Sequence, residues 1–224
     1  MNQHSANHPI LYSFRRCPYA MRARLAVQSA GFNVELREIL LRDKAPEFTA
    51  ASPKATVPVL VLPNGTIIEE SLDVMLHVLD QFDPEGLLTP TEETLADMLA
   101  LISENDGPFK RALDRYKYAN RYEGADPISE RTAASSFLQT LNDRLRTSNG
   151  CLFGARLSLA DLAILPFVRQ FANVDRPWFD SQDWPDLRKA LEDFTVSERF
   201  ASIMLKYAMW QPEDEVIWFG EPKS

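Results

Sequence analysis

The junction at residues 10–31 constrains the fold most. Ile10-Leu11-Tyr12-Ser13-Phe14 is a short apolar run, and Pro18 to Ala30 reads as a helix that stops at Gly31. Between them lies Arg15-Arg16-Cys17. A proline suits the first helical position, where its missing N–H costs nothing and its fixed φ is already helical. Cys17 therefore falls at the N-cap, facing unpaired backbone N–H groups and the positive end of the helix dipole. Arg15, Arg16 and Arg22 add positive potential. Such surroundings lower a thiol pKa and expose a nucleophilic thiolate near neutral pH. The bland alternative is a packed core thiol, since free cysteine is often buried, but that role needs neither the proline nor the arginines.

The flanking sequence predicts what holds this thiol. Ala20, Ala23, Ala26 and Val27 give the helix a small-residue face suited to close packing on a sheet. Val34, Leu36 and Ile39 alternate with charges over 33–40 and predict a second strand. Strand, helix and strand at this spacing imply a parallel pair with a right-handed crossover. Residues 42–51 are polar and loop-like, with a helical turn or two around Glu47-Phe48. Thr56–Leu62 and Thr66–Ile68 flank Pro63-Asn64-Gly65, a strong hairpin signal. Leu72, Met75, Leu76 and Leu79 then form an i, i+3, i+4, i+7 stripe. The order β-α-β-α-β-β-α over residues 1–82 is that of a thioredoxin-like α/β domain.

A Pro/Gly-containing linker occupies 83–91, and 92–224 predicts an all-helical domain with no strand. Its helices are expected from Leu95 to Ile102, from Phe109 to Tyr122 beyond a break at Gly107-Pro108, over 129–146, 162–172 and 184–192, and over 197–207. Ser158 with Asp161 three residues on matches a capping box.

The totals exclude several function classes. A net charge of −8 argues against nucleic acid or an anionic membrane as the main partner. Two cysteines, Cys17 and Cys151, cannot form a disulfide framework and point to a reducing compartment. Residues 1–9 lack the apolar core of a signal peptide, and no apolar run reaches membrane-spanning length, so a cytoplasmic location is expected. His4, His8 and His77 do not combine with the cysteines or acids at ligand spacing, so no metal is expected. No G-x-G-x-x-G or P-loop implies a nucleotide.

Four features in order carry a resemblance over nearly the whole chain: Cys17-Pro18-Tyr19-Ala20, Val57-Pro58-Val59-Leu60, Glu70-Ser71, and Ser158-Leu159-Ala160-Asp161 in the helical half. The chain resembles a cytosolic glutathione transferase, and its cysteine resembles that of omega-like bacterial members. The resemblance implies that Cys17 is the catalytic nucleophile and that glutathione is the co-substrate. Pro18 and Tyr19 would flank its thiol. Val57 would offer its backbone to the cysteinyl part, directed by a cis Pro58. Glu70 and Ser71 would bind the γ-glutamyl end, as a hydroxyl at a helix start suits a carboxylate and an acid suits an ammonium. Lys44 would meet the glycyl carboxylate, although a solvated lysine is an equal reading. Phe14, Phe109, Tyr116 and Trp210 would line an acceptor-substrate pocket, while Ser158 and Asp161 would only cap a helix. A homodimer is implied by the family alone.

Bland readings stand beside these. Glu70-Ser71 also suits a plain helix cap. The run Arg115-Tyr116-Lys117-Tyr118 is most simply a helix with one packed aromatic edge. Cys151 reads as a structural thiol, not as a resolving partner.

Ala20 stands where a dithiol motif would carry its second cysteine, so the chemistry must use one thiol. A glutathione-dependent thiol transferase follows, with dehydroascorbate reduction or deglutathionylation as variants. Conjugation of glutathione to an electrophile, with Tyr12 or Ser13 activating it, is one alternative. A non-enzymatic binding protein on the same fold is the other.

Overall fold

The computed structural model describes residues 7–148 and 150–220. The chain divides into two compact units. One comprises the residues up to Glu85 together with those from Glu198 onward; the other is Gly86–Ser197.

The first unit follows the order the sequence predicts. It runs β1 (Ile10–Ser13), α1 (Pro18–Ser29), β2 (Val34–Glu38), α2 (Pro46–Ala51), β3 (Val59–Val61), β4 (Ile67–Ile68) and α3 (Ser71–Gln81). Strands β1 and β2 are parallel, with Leu11 opposite Leu36 and Tyr12 opposite Arg37. β3 pairs antiparallel with β1, and β4 with β3. The hairpin between them turns at Gly65, whose φ of +86° suits glycine. Two apolar layers hold the sheet. Ile10, Tyr12, Ile39, Val57 and Val59 pack around the fully buried Phe48 of α2. α1 and α3 pack against each other, and Ala23, Ala26 and Val27 of α1 are buried.

The tail departs from the expectation. Residues 92–224 were to form one helical domain without strands, yet α10 (Glu198–Ile203) and the chain beyond it belong to the first unit. β5 (Trp218–Phe219) pairs antiparallel with β2, giving the sheet order β4-β3-β1-β2-β5. Two residues are too short for an alternation signal; the strand exists because β2 leaves an edge to pair. Leu36 N donates to Ile217 O at 2.8 Å and Trp210 N to Glu38 O at 3.0 Å. Helix α10 also ends at Ile203, four residues before the sequence pattern suggested.

The second unit is helical. It contains α4 (Leu95–Glu104), α5 (Lys110–Lys117), α6 (Pro127–Thr147), α7 (Leu159–Ala172), α8 (Arg176–Asp180) and α9 (Pro185–Val196). The break anticipated at Gly107-Pro108 is a π-helical turn, Asn105–Phe109, that joins α4 to α5 without ending the helical path. Helix α7 is buried along most of its length. Ser158 and Asp161 form a reciprocal capping box at its start. Asp161 accepts from Ser158 N at 2.8 Å, Ser158 Oγ at 2.7 Å and Leu152 N at 2.8 Å. No helix of the described residues is long and apolar enough to cross a membrane. The polar start of the chain, residues 1–6, lies outside the described residues.

Candidate active site

Cys17 is the N-cap of α1 in extended conformation, with Pro18 at the first helical position. Its carbonyl receives Met21 N at 2.8 Å, and its own N–H donates to Phe14 O at 3.0 Å, which closes the turn after β1. The thiol is half-buried and in no disulfide. Its sulfur lies 3.9 Å from Val57 O, and the Val57–Pro58 peptide bond is cis. The thiol is thus set between a helix N-terminus and the start of β3. That geometry follows from local sequence: Pro18 starts the helix where the strand run ends, and the Ile10–Val59 layer brings the two loops together.

The arginines near Cys17 differ in their surroundings. Arg16 lies over the Phe14 ring at 5.4 Å. Arg22 is buried, lies over Tyr19 at 5.2 Å, and donates from Nε to Ser71 Oγ at 2.9 Å. Ser71, at the first position of α3, is thereby tied to α1. Glu70 is the N-cap of α3; its exposed carboxylate pairs with Lys54. Lys54 escaped the sequence reading. It stands three residues before Val57 in an unremarkable polar loop, and only the fold brings it to Glu70.

Lys44 is exposed and lines a cavity of about 370 Å³. Asp43, Glu47 and Leu40 form part of one wall, and Trp210 and Gln211 come from the tail. Trp210 stacks with Arg37 at 4.1 Å and meets Tyr12 edge-on at 6.3 Å. Phe14 packs against the Phe48 layer.

The other two pocket candidates lie in the helical unit's own core. Phe109 is buried against Phe137 and Phe171, and Tyr116 against Phe171. Tyr12, an alternative activator of glutathione, is buried and its hydroxyl accepts from Arg37. Burial pushes its pKa up despite Arg37, so it is a poor source of a tyrosinate. Ser13 is fully buried and accepts from Arg24. Cys151 is pushed up to about 11 by burial and by Asp161, the opposite of an activated thiol. Among the described residues no group of three or more His, Cys, Asp or Glu is arranged to hold a metal ion.

Fold and site together define a thioredoxin-like domain that presents one thiol at a helix start, followed by a helical domain. Comparison with known proteins gives the family. The glutathione S-transferase N-terminal domain matches residues 11–86, and the C-terminal domain of the same family matches 109–193. Mouse glutathione S-transferase omega-1 is 33% identical over 165 residues, covering 74% of this chain and 68% of the relative. Rat maleylacetoacetate isomerase is 28% identical over 207 residues, covering 86% and 93%. Among solved structures, a glutathione transferase family member from Pseudomonas fluorescens Pf-5, with two glutathione bound, superposes with a TM-score of 0.75. That match has 19% identity and covers 91% of this chain and 94% of the other. The chain belongs to the glutathione transferase superfamily.

Proposed function

We propose that the protein is a glutathione-dependent thiol transferase that works through Cys17 alone. The observation that carries this reading is a single half-buried thiol at the N-cap of α1, beside the Val57 carbonyl, with Ala20 in place of a second cysteine. The Cys17 thiolate attacks the glutathionyl sulfur of a mixed disulfide. The S–S bond breaks, the acceptor thiolate leaves and takes a proton from water, and Cys17 is left bonded to glutathione. A second glutathione thiolate attacks that bond, releasing oxidised glutathione and regenerating the Cys17 thiolate. The net exchange consumes one free glutathione thiol, which ends bonded to the glutathionyl group taken from the mixed disulfide, and leaves the acceptor as a thiol. A thiol with pKa near ambient pH serves this exchange best as both attacker and leaving group.

In this reading Val57 supplies main-chain bonds to the cysteinyl part of glutathione, with Pro58, Pro18 and Tyr19 shaping the slot. Glu70 and Ser71 receive the γ-glutamyl end and Lys44 the glycyl carboxylate. Phe14 and Trp210 line the acceptor side. S-glutathionylated small molecules are acceptors of the same chemistry, and dehydroascorbate is a related one whose reduction consumes two glutathione thiols. The protein acts in the cytoplasm as a homodimer.

Conjugation to an electrophile ranks second, because the buried Tyr12 and Ser13 are both engaged by arginines. The test is turnover of 2-hydroxyethyl disulfide with glutathione by wild type, Cys17→Ala and Cys17→Ser, beside a chloronitrobenzene conjugation assay. Disulfide turnover is expected in wild type and lost in both variants. Undiminished turnover in Cys17→Ala, or conjugation that exceeds disulfide turnover in wild type, overturns the reading.

A further inference from the structure

Arg24 drew no attention in the sequence, where it reads as one more charge on a short helix. The structure buries it to 1% exposure, about two turns beyond Cys17 on α1. Taking a guanidinium out of water costs several kcal/mol unless charge and hydrogen bonds compensate. Here Nη1 donates to Ser13 Oγ at 2.5 Å and Nη2 to the Arg15 carbonyl at 2.8 Å. Glu38, at the end of β2 and 5% exposed, accepts from Arg15 N at 2.7 Å through Oε1. Its Oε2 is buried with no hydrogen-bond partner.

Both backbone groups of Arg15 are therefore held by buried side chains of opposite charge, one from α1 and one from β2. Arg15 lies inside the turn that Cys17 N closes onto Phe14 O. The tail braces the same place: Arg15 Nη1 reaches Met204 O at 3.5 Å, and Trp210 N bonds the Glu38 carbonyl. A turn at a strand end can satisfy its peptide groups with water or neutral side chains. A buried unlike pair is seldom worth more to stability than apolar residues of similar volume.

We propose that Arg24 and Glu38 are positioning residues for Cys17: they clamp the Arg15 peptide groups, fix the turn that presents the sulfur at the start of α1, and act on the thiolate with opposite sign. The inference rests on reading Cys17 as the nucleophile. The charges acting on Arg24 come from several elements: Glu38 on β2, Cys17 and Arg15 in the turn, and Tyr207 on the tail. Arg16 and Arg22 lie further along the same turn and helix, over Phe14 and Tyr19. Burial pushes Arg24 down to about 10, with Glu38 and Cys17 opposing that fall. It remains a cation at neutral pH, and the coupling to Cys17 is reciprocal. Burial also pushes Glu38 up, against the Arg15 N–H and the charges of Arg24 and Arg15.

The test is the rate of Cys17 alkylation by iodoacetamide from about pH 5 to 10, a range spanning ordinary thiol titration, read by mass spectrometry on full-length protein carrying Cys151→Ser. Arg24→Met removes the cation and is expected to raise the inflection by about one unit, which slows alkylation at pH 7 by roughly five- to tenfold. Arg24→Lys keeps the charge but cannot hold Ser13 and Arg15 together. Its inflection stays near wild type while disulfide turnover falls. Glu38→Gln keeps an acceptor for Arg15 N and removes the negative charge, so its inflection moves down. Opposite shifts from the two positions separate this role from general loosening, which would move both the same way. Shifts of the same sign, or no shift in either, overturn the inference. If Arg24→Met does not fold, Glu38→Gln decides alone: an unmoved or raised inflection refutes the role. Alkylation needs no glutathione, so wild type inactive on disulfides but showing these shifts would overturn the proposed function and leave the inference standing.

Discussion

The capping box at the start of α7 gives the most direct test of how far buried polar groups hold this fold. Asp161 is 1% exposed and takes three hydrogen bonds, two from the N–H groups of Ser158 and Leu152. Those two residues are 0% and 1% exposed, so Asp161→Ala leaves both donors in a dry interior. Each buried unsatisfied donor costs about 1–3 kcal/mol, or about 2–6 together. Relief of the carboxylate's own desolvation, which pushes its pKa up, offsets part of this and leaves about 2–4 kcal/mol. For a chain of this size that is a fall in Tm of roughly 5–15 °C, read by calorimetry and by urea unfolding.

Asp161→Asn keeps one acceptor and removes the titrating group. The raised pKa fixes the sign of the pH effect. As pH rises through the ordinary aspartate range the unfolded chain loses its proton first, so wild-type stability drops and the gap to Asp161→Asn narrows from about pH 4 toward neutrality. The same box at the start of α4, Thr94 with Asp97, is exposed, and Asp97→Ala is expected to lose distinctly less. A loss below about 1 kcal/mol for Asp161→Ala, the range of an exposed cap, or equal losses at the two boxes, would refute the argument that burial sets the magnitude.

Other outcomes follow from the same structure. At pH 7.5 iodoacetamide should label Cys17 and leave Cys151 unmodified, since a thiol pushed up to about 11 is almost entirely protonated there; equal labelling of both in peptide maps contradicts this. The same shift makes Cys151 a source of alkaline sensitivity: between about 9 and 11 the unfolded chain ionises first, so Cys151→Ser should blunt the loss of stability in that window. Ser71→Ala removes one acceptor of the buried Arg22 and should cost about 1.5–3 kcal/mol while weakening glutathione binding in calorimetry; weaker binding at unchanged Tm would mean Ser71 does not anchor Arg22. Gly220→Ala puts a Cβ 2.4 Å from Phe32 O at a φ of +97°, and should release the tail to limited proteolysis faster than wild type.

The first unit was legible because its signals are local. Pro18 fixes where α1 starts, Asn64-Gly65 fixes the hairpin, and each strand or helix carries its own periodicity. Cys17 was legible for the same reason: its surroundings are dictated by the next residue in the chain. Lys54 and the tail were not. Lys54 meets Glu70 only because β3 and β4 lie between them, and β5 has no pattern of its own, only an open strand edge to join. The two-unit division shifted for that reason, since a helical run followed by an aromatic tail reads as one domain until the tail finds the sheet.

Arg24 and Glu38 show a deeper limit. Both carry charges that a composition reading sends to solvent: Arg24 sits among alanines on a helix, and Glu38 ends a strand in register with the apolar Val34 and Leu36. Each is buried by what happens elsewhere. β1 and β2 pair so that Ser13 faces Glu38, α1 crosses beside them, and the tail passes alongside through Met204 and Trp210. A buried charge becomes readable only when its partner is known, and here the partners come from four separate stretches. The residues that touch the chemistry were therefore easier to find than those that hold them, because a nucleophile announces itself by its neighbours in sequence and a clamp only by its neighbours in space. If Arg24→Met and Glu38→Gln shift the thiol in opposite directions, the sheet edge and the tail join the account of how Cys17 reacts.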